Sequence, residues 1–344
     1  MNIHVTIPPG RLREAFISAE AAAALAALGA VAYNPHQAHY APEALKAALA
    51  DADVAVTGWH CPPFTAEVLD GAPRLKLIAH TGGTVAPLVT PALYDRGVRV
   101  ISGNELYAES VAEGVVAYML AALRRLPHFS ARVQSGGWSD LDHTEGLLDQ
   151  TVGLVGFGAV ARYLAPMLKV FRARVLAYDP FVPPEDMTKL GAIPVDAPEE
   201  IFRRCRVVSL HLPRVPETYH MVNADMLALM QPGALLVNTA RGSVLDEAAL
   251  ADALRARRIH ALLDVFEQEP LPPGSPLRGL DNCILIPHMA GPTRDRFARV
   301  TLALCADIAR FRAGQPLTLE IGRDRALGMT DDTLPLGGKA HSSL

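Results

Sequence analysis

Gly156-Phe157-Gly158-Ala159-Val160-Ala161 is a GxGxxA sequence, and its spacing suits a phosphate-binding turn. Gly156 permits the tight turn, Gly158 lets the backbone approach a pyrophosphate, and Ala161 keeps the following helix close to the sheet. An apolar strand, Val152–Val155, precedes the turn, and a helical pattern, Val160–Phe171, follows it. The free amides and positive end of that helix would face the phosphates. Asp179 closes the next strand, about 20 residues on, where a carboxylate accepts from ribose hydroxyls. The same charge repels a 2′-phosphate, so the segment is expected to take NAD rather than NADP.

Three further polar segments stand at the carboxyl ends of predicted strands, where open α/β sheets bind ligands. They are Asn238-Thr239-Ala240-Arg241-Gly242, then Leu263-Asp264-Val265-Phe266-Glu267-Gln268-Glu269-Pro270, then Pro287-His288-Met289-Ala290-Gly291. Histidine suits proton exchange near neutral pH because its ordinary pKa is about 6.5. A carboxylate beside it would fix its tautomer and raise that pKa. Arginine would grip a carboxylate or carbonyl in a planar, charge-assisted contact. Each residue alone reads as a surface charge or a loop residue. Their shared placement at strand ends argues for them as a set.

The elements that must carry these segments follow from hydrophobic patterning. Short apolar runs alternate with helical segments, which predicts parallel α/β sheets. A first series has strands at Ile3–Ile7, Val31–Asn34, Val54–Gly58, Leu75–His80 and Val98–Ile101, forming a small doubly wound lobe that ends near Gly103. Ser110-Val111-Ala112-Glu113 fits a capping box at the start of a long helix, and Pro127 ends that pattern after Leu126. A stretch rich in Gly, Ser and Asp, Ser135 to Gly146, leads to the second series. Its strands are Val152–Phe157, Arg174–Tyr178, Val207–Leu212, Ala234–Asn238, Ala261–Val265 and Ile284–Ile286, continuous apolar runs of the kind covered on both faces. Asn223 and Asp246 suit helix N-caps. A last helix, Thr293 to Ala313, stops at Gly314 and is expected to return to the first lobe. The polar tail from Ile321 is expected to be poorly ordered.

Composition narrows the function classes. Of 344 residues, half are hydrophobic and a fifth charged, which is globular. A formal net charge of −4 offers no nucleic-acid surface. The four cysteines form no CxxC and no metal spacing, as in a reduced, cytoplasmic protein. Met1-Asn2-Ile3-His4-Val5 lacks a basic stretch followed by an apolar one, so no export signal is expected there. No apolar run is expected to approach the roughly 18 residues of a membrane span.

The chain resembles the D-isomer-specific 2-hydroxyacid dehydrogenases. The GxGxxA turn, Tyr178-Asp179-Pro180, His211-Leu212-Pro213 with Thr218, the three strand-end segments and Ser110–Glu113 carry the likeness, in order, across roughly residues 105–291. The resemblance implies a Rossmann NAD-binding domain, residues 105–290, inserted into a flavodoxin-like substrate lobe, residues 1–104. It also implies a return helix over 291–320 and a tail over 321–344. Arg241, Glu269 and His288 are catalytic by this likeness. Gly156, Gly158, Ala159, Val160, Asp179, Pro213, Thr218, Thr239, Ala240, Arg241 and Asp264 would hold the cofactor, with Asp264 near the nicotinamide end. Gly82, Gly83, Arg241 and His288 would hold substrate. The implied reaction passes a hydride between nicotinamide and a D-2-hydroxy acid or its 2-oxo acid, with His288 as acid and base. A homodimer with the Ser110–Leu126 helix at its contact is implied too.

The likeness is weaker in the first hundred residues. His80-Thr81-Gly82-Gly83-Thr84-Val85 has the glycines of a loop offering backbone donors, but lacks the Asp and Asn that commonly follow in the family. Trp59, His60, His80 and Tyr107 are candidate wall residues. Glu269 argues against formate, since the formate dehydrogenases of this superfamily pair the histidine with Gln. Two alternatives are an NAD(H)-sensing, corepressor-like binding protein of the same fold and a dehydrogenase of another small anion such as phosphite.

Overall fold

A computed structural model describes residues 1–138 and 144–332. The chain forms two compact units. The first is Met1–Tyr107 together with the described chain from Pro292 onward; the second is Ala108–Gly291.

The first unit holds a five-stranded parallel sheet of β1 (Asn2–Val5), β2 (Ala30–Tyr33), β3 (Val54–Thr57), β4 (Leu77–His80) and β5 (Arg99–Ser102). Their order is β2-β1-β3-β4-β5, the flavodoxin-like doubly wound arrangement. β3 and β4 are buried at every position, which explains their apolar runs Val54–Val56 and Leu77–Ala79; each closes on a buried polar residue, Thr57 and His80. The helix Phe297–Arg312 places Val300, Leu304 and Ile308 against Ile3, Val5, Val54 and Leu77. Gly314, at φ 67°, follows it in the left-handed conformation that glycine tolerates best.

The second unit holds a seven-stranded parallel sheet: β6 (Thr151–Val155), β7 (Arg174–Tyr178), β8 (Ile193–Pro194), β9 (Val207–Leu210), β10 (Leu235–Asn238), β11 (His260–Leu263) and β12 (Cys283–Leu285). The order is β12-β11-β10-β9-β6-β7-β8. The direction of winding reverses between β6 and β9, so the ligand crevice of such a fold lies at their carboxyl ends. All six expected strands are present; β8 is an addition of two residues at the sheet edge. Asn223 and Asp246 cap their helices, accepting from Met226 N–H (3.1 Å) and Ala249 N–H (2.9 Å).

Four expectations need correction. The long helix starts at Asn104, not at Ser110, and the N–H of Asn104 donates to Ser102 Oγ (3.2 Å). Ser110 and Glu113 therefore lie inside it, because Asn104–Glu109 contain no helix breaker and extend it backward. That helix ends at Leu123, and Pro127 sits in the first turn of a second helix, Leu126–Gln134, where a missing N–H costs nothing. Asn104–Leu123, with a mean hydropathy of 1.3, is also long and apolar enough to cross a membrane by length and composition. Its Ala112, Val115, Met119 and Leu123 are instead buried in the core beside β6. Finally, residues 321–332 are anchored. Ile321 is buried, and its N–H donates to Val100 O (2.9 Å). Arg323 pairs with Asp95 (2.8 Å) and Arg325 with Glu105 (2.6 Å). Residues 333–344 of the expected tail lie outside the described residues.

Candidate active site

The turn after β6 is built as its glycines require. Gly156 has φ 91°, and a Cβ there would stand 2.7 Å from the His211 carbonyl oxygen. Only glycine lets this turn lie against the end of β9. Gly158 precedes the Ala159–Lys169 helix, and no atom lies within 4 Å of where its Cβ would stand. That open side exposes the helix start, where the amides of Ala159 and Val160 have no partner within the helix. Ala161 is fully buried and seats the helix on the sheet. Asp179 is held beside the turn: Phe157 N–H donates to its Oδ2 (2.8 Å) and Phe181 N–H to its Oδ1 (2.9 Å). Each oxygen keeps a further lone pair for a sugar hydroxyl.

Three buried polar atoms at the ends of β9 and β10 lack a hydrogen-bond partner among the described residues: His211 Nε2, Thr239 Oγ1 and Ser243 Oγ. Burial lowers the His211 pKa to about 4, so its ring is neutral. Thr218 is used differently. Its hydroxyl donates to Pro213 O (2.6 Å) and accepts from Val215 N–H (3.2 Å), bracing the loop that carries Pro213. An open glycine turn, an oriented carboxylate and unpaired buried donors and acceptors around one switch point fit a dinucleotide.

Arg241 is positioned from below. Asn238, buried at the end of β10, donates from Nδ2 to Arg241 O (3.0 Å) and accepts from Ala240 N–H through Oδ1 (3.0 Å). Arg241 donates to Ala240 O (2.7 Å). A Cβ on Gly242 would overlap the Phe266 carbonyl group, so glycine allows the segments after β10 and β11 to touch.

Glu269 reaches across both neighbouring segments. Its Oε1 accepts from Phe266 N–H (3.0 Å), and its Oε2 lies 2.7 Å from Nδ1 of His288. The hydrogen bond from Glu269 raises the His288 pKa; burial opposes this, the Glu269 charge adds to it, Arg241 opposes and Asp264 assists. Burial alone would raise the Glu269 pKa, but bonds from His288 and Phe266 and the charges of His288 and Arg241 bring it below the ordinary value. A depression of about 500 Å³ opens beside the pair, with Phe266, Leu271, Leu285 and Ile286 among its apolar walls. Asp264 is buried at the end of β11, and its carboxylate accepts from Met289 and Ala290 N–H.

The structure thus brings Arg241, Asp264, Glu269 and His288 to adjacent strand ends of one sheet, alongside the glycine turn. In the first unit, Gly82 packs against His80 and Trp59, and Gly83 O accepts from Ser102 Oγ (3.1 Å). His80, a candidate wall residue, is buried: Nδ1 lies 2.9 Å from Thr57 Oγ1, and burial pushes its pKa down to about 3. Trp59 and Tyr107 stack edge to face, with 6.0 Å between ring centroids. Asn238 and Ser243 received no role from sequence reasoning. An Asn ending an apolar strand before a turn is the available sign for the first; a lone Ser carries none.

Residues 116–290 match the NAD binding domain of the D-isomer specific 2-hydroxyacid dehydrogenases. The chain belongs to that family. This dehydrogenase-family chain is 34% identical over 259 residues to the glyoxylate reductase of Korarchaeum cryptofilum, covering 74% of this chain and 78% of that protein. It is 35% identical over 256 residues to the D-3-phosphoglycerate dehydrogenase of Methanocaldococcus jannaschii, covering 74% of this chain but 48% of the other. The chain therefore spans about half the length of the curated phosphoglycerate dehydrogenases it matches. The crystal structure of a phosphoglycerate oxidoreductase from Rhizobium etli aligns with a TM-score of 0.79 at 24% identity, over 94% of this chain and 99% of that one, a likeness of fold. Family membership, the two parallel-sheet lobes and NAD as cofactor agree with the sequence reading.

Proposed function

We propose that the protein is an NAD-dependent oxidoreductase that interconverts a D-2-hydroxy acid and its 2-oxo acid. The observation that carries this reading is the 2.7 Å pairing of His288 Nδ1 with Glu269 Oε2. Glu269 holds Nδ1 as the protonated nitrogen, which leaves Nε2 to exchange a proton with substrate. The raised pKa keeps the imidazolium available at neutral pH to protonate a keto oxygen during reduction. The neutral ring takes the hydroxyl proton in the reverse direction. Arg241 grips the substrate carboxylate and stabilises negative charge growing on the carbonyl oxygen. NAD, when bound, supplies or accepts the hydride. Gly156, Gly158, Ala159 and Val160 would hold its pyrophosphate, Asp179 its ribose, and Pro213, Thr218, Thr239, Ala240, Arg241 and Asp264 the remainder.

The same reading assigns residues 105–290 to cofactor and residues 1–104 with 291–320 to substrate, and gives Gly82 and Gly83 a part in holding the substrate carboxylate. It makes the protein cytoplasmic and homodimeric. The contact expected from the family resemblance is the Ser110–Leu126 helix; support for a dimer lies just beyond it, in the Leu126–Gln134 helix, which has no buried residue and leaves Leu126 and Val133 exposed, with Trp138 exposed further on.

The test is NADH oxidation against a panel of 2-oxo acids, with wild type and His288→Ala compared. Turnover abolished in the variant, with NADH binding intact, supports the reading. Equal turnover in both overturns the role of His288, and tight NADH binding without turnover of any 2-oxo acid overturns the enzyme.

A further inference from the structure

The backbone that carries His288 is held mainly by Asp264, with the Ile286 carbonyl oxygen a second, longer acceptor for His288 N–H (3.1 Å). His288 N–H donates to the carbonyl oxygen of Asp264 (2.8 Å), Met289 N–H to its Oδ1 (2.7 Å) and Ala290 N–H to its Oδ2 (2.9 Å). Three consecutive amides thus converge on Asp264, which is 1% exposed. His288 itself sits at φ 52°, in the left-handed region that few non-glycine residues adopt.

A second element closes on this loop. The Asn104–Leu123 helix sends the Tyr118 hydroxyl to Asp264 Oδ1, to which it donates at 3.0 Å. Gly114 lies four residues earlier, on the same helix face. A Cβ at Gly114 would stand 2.8 Å from the carbonyl oxygen of Ala290. Glycine therefore admits the loop against the helix while the phenol one turn later ties down the carboxylate that grips it.

We propose that Tyr118 is a positioning residue for proton transfer: through Asp264 its hydroxyl holds residues 288–290 and so aims the His288 imidazole. This rests on the assignment of His288 as the acid–base group. The phenol suits the task chemically. Burial, with Asp264 beside it, raises its pKa above the ordinary value, so it remains a donor wherever Asp264 is ionised. Its O–H also offsets part of the Asp264 charge, one of the charges acting on His288.

Tyr118→Phe keeps the ring and removes only the hydroxyl. Three quantities are read: turnover of the best 2-oxo acid with NADH, the dissociation constant of NADH, and the titration of His288 by NMR of histidine-labelled protein, assigned with His288→Ala. We expect turnover to fall about tenfold, less than the roughly 100-fold that a misplacement of 1 Å can cause. NADH binding stays unchanged, and the His288 midpoint is displaced, upward if Asp264 is left less compensated or downward if the ring slips from Glu269. Gly114→Ala, which presses the same loop from one turn away, is expected to move the same quantities. Turnover and titration both unchanged in Tyr118→Phe overturn the proposal. Lower turnover with an unchanged titration overturns it as well, since loss of packing alone gives that result. A wild type that reduces no 2-oxo acid, with a titration still displaced in Tyr118→Phe, upholds the clamp and removes the dehydrogenase reading.

Discussion

Oε2 of Glu269 and Nδ1 of His288 lie 2.7 Å apart although the two residues are 19 positions apart in the chain. They follow neighbouring strands, β11 and β12, so the sheet brings them together. Each partner favours the charged form of the other: His288 is shifted up and Glu269 down. The sign of each pH effect on catalysis and stability follows from that pair.

Reduction of a 2-oxo acid uses imidazolium, so its rate should hold above pH 6.5 and fall as pH rises through the raised His288 pKa. Oxidation of the hydroxy acid should rise over the same interval. Glu269→Gln removes the carboxylate charge and leaves at most a neutral acceptor for Nδ1–H, while the opposing burial remains, so both limbs should move to lower pH. The pH profiles of kcat/KM in the two directions check this; limbs that stay in place in the variant refute it. Stability follows the same signs. The His288 contribution is complete below its unfolded pKa and lost as pH rises through the raised folded value. The Glu269 contribution is present above its unfolded pKa and lost as pH falls through the lowered one.

Arg241→Lys keeps the charge but loses the planar fork. A charge-assisted contact of about 2 kcal/mol predicts a drop of roughly 30-fold in kcat/KM for the oxo acid. NADH affinity should change far less. Stopped-flow binding of NADH beside steady-state rates separates the two, and equal losses in both would assign Arg241 to the cofactor alone.

Asp179→Asn leaves an acceptor for the amide of Phe157 or Phe181 and removes the negative charge. The ratio of kcat/KM for NADPH to that for NADH should rise about tenfold, corresponding to ~1.4 kcal/mol of relieved repulsion. An unchanged ratio would mean that Asp179 does not select the cofactor.

Gly242→Ala forces a methyl group into the Phe266 carbonyl group. Overpacking of this kind costs about 1–3 kcal/mol, so Tm should fall by several degrees. Activity should fall with it, because Arg241 and Glu269 flank the displaced backbone. Thermal unfolding and NADH oxidation of the same preparation test this; a variant matching wild type in both refutes the close approach.

The exposed apolar residues Leu126, Val133 and Trp138 predict a dimer at micromolar concentration. Sedimentation equilibrium is the measurement, and Val133→Asp should shift it toward monomer. A monomeric wild type counts against the dimer.

Much of this architecture is legible because parallel strands buried on both faces leave apolar runs, as in Val54–Val56 and Leu235–Val237. Two-residue β8 has no periodicity to read. The helix start was misplaced because Ser110 and Glu113 match a short capping pattern, while the real start depends on Ser102, whose hydroxyl becomes an acceptor only once β5 fixes it. Polar composition hid the anchoring of residues 321–332, which depends on Ile321 and on ion pairs to Asp95 and Glu105. At the site, Arg241, Glu269 and His288 were readable by type and by strand-end position. The grip of Tyr118 on Asp264 was not, since 146 residues separate them and only the packed helix joins them.

β8 and β12 terminate the seven-stranded sheet with two and three residues, and Pro194 ends the former. A proline has no N–H to lend to a passing strand, and edges this short give an unfolded chain almost no register to copy. The large parallel sheet that carries the candidate chemistry is thereby guarded against edge-to-edge aggregation. Extending β8 with β-branched residues in place of Pro194 should make the protein precipitate from concentrated solution before it loses its fold.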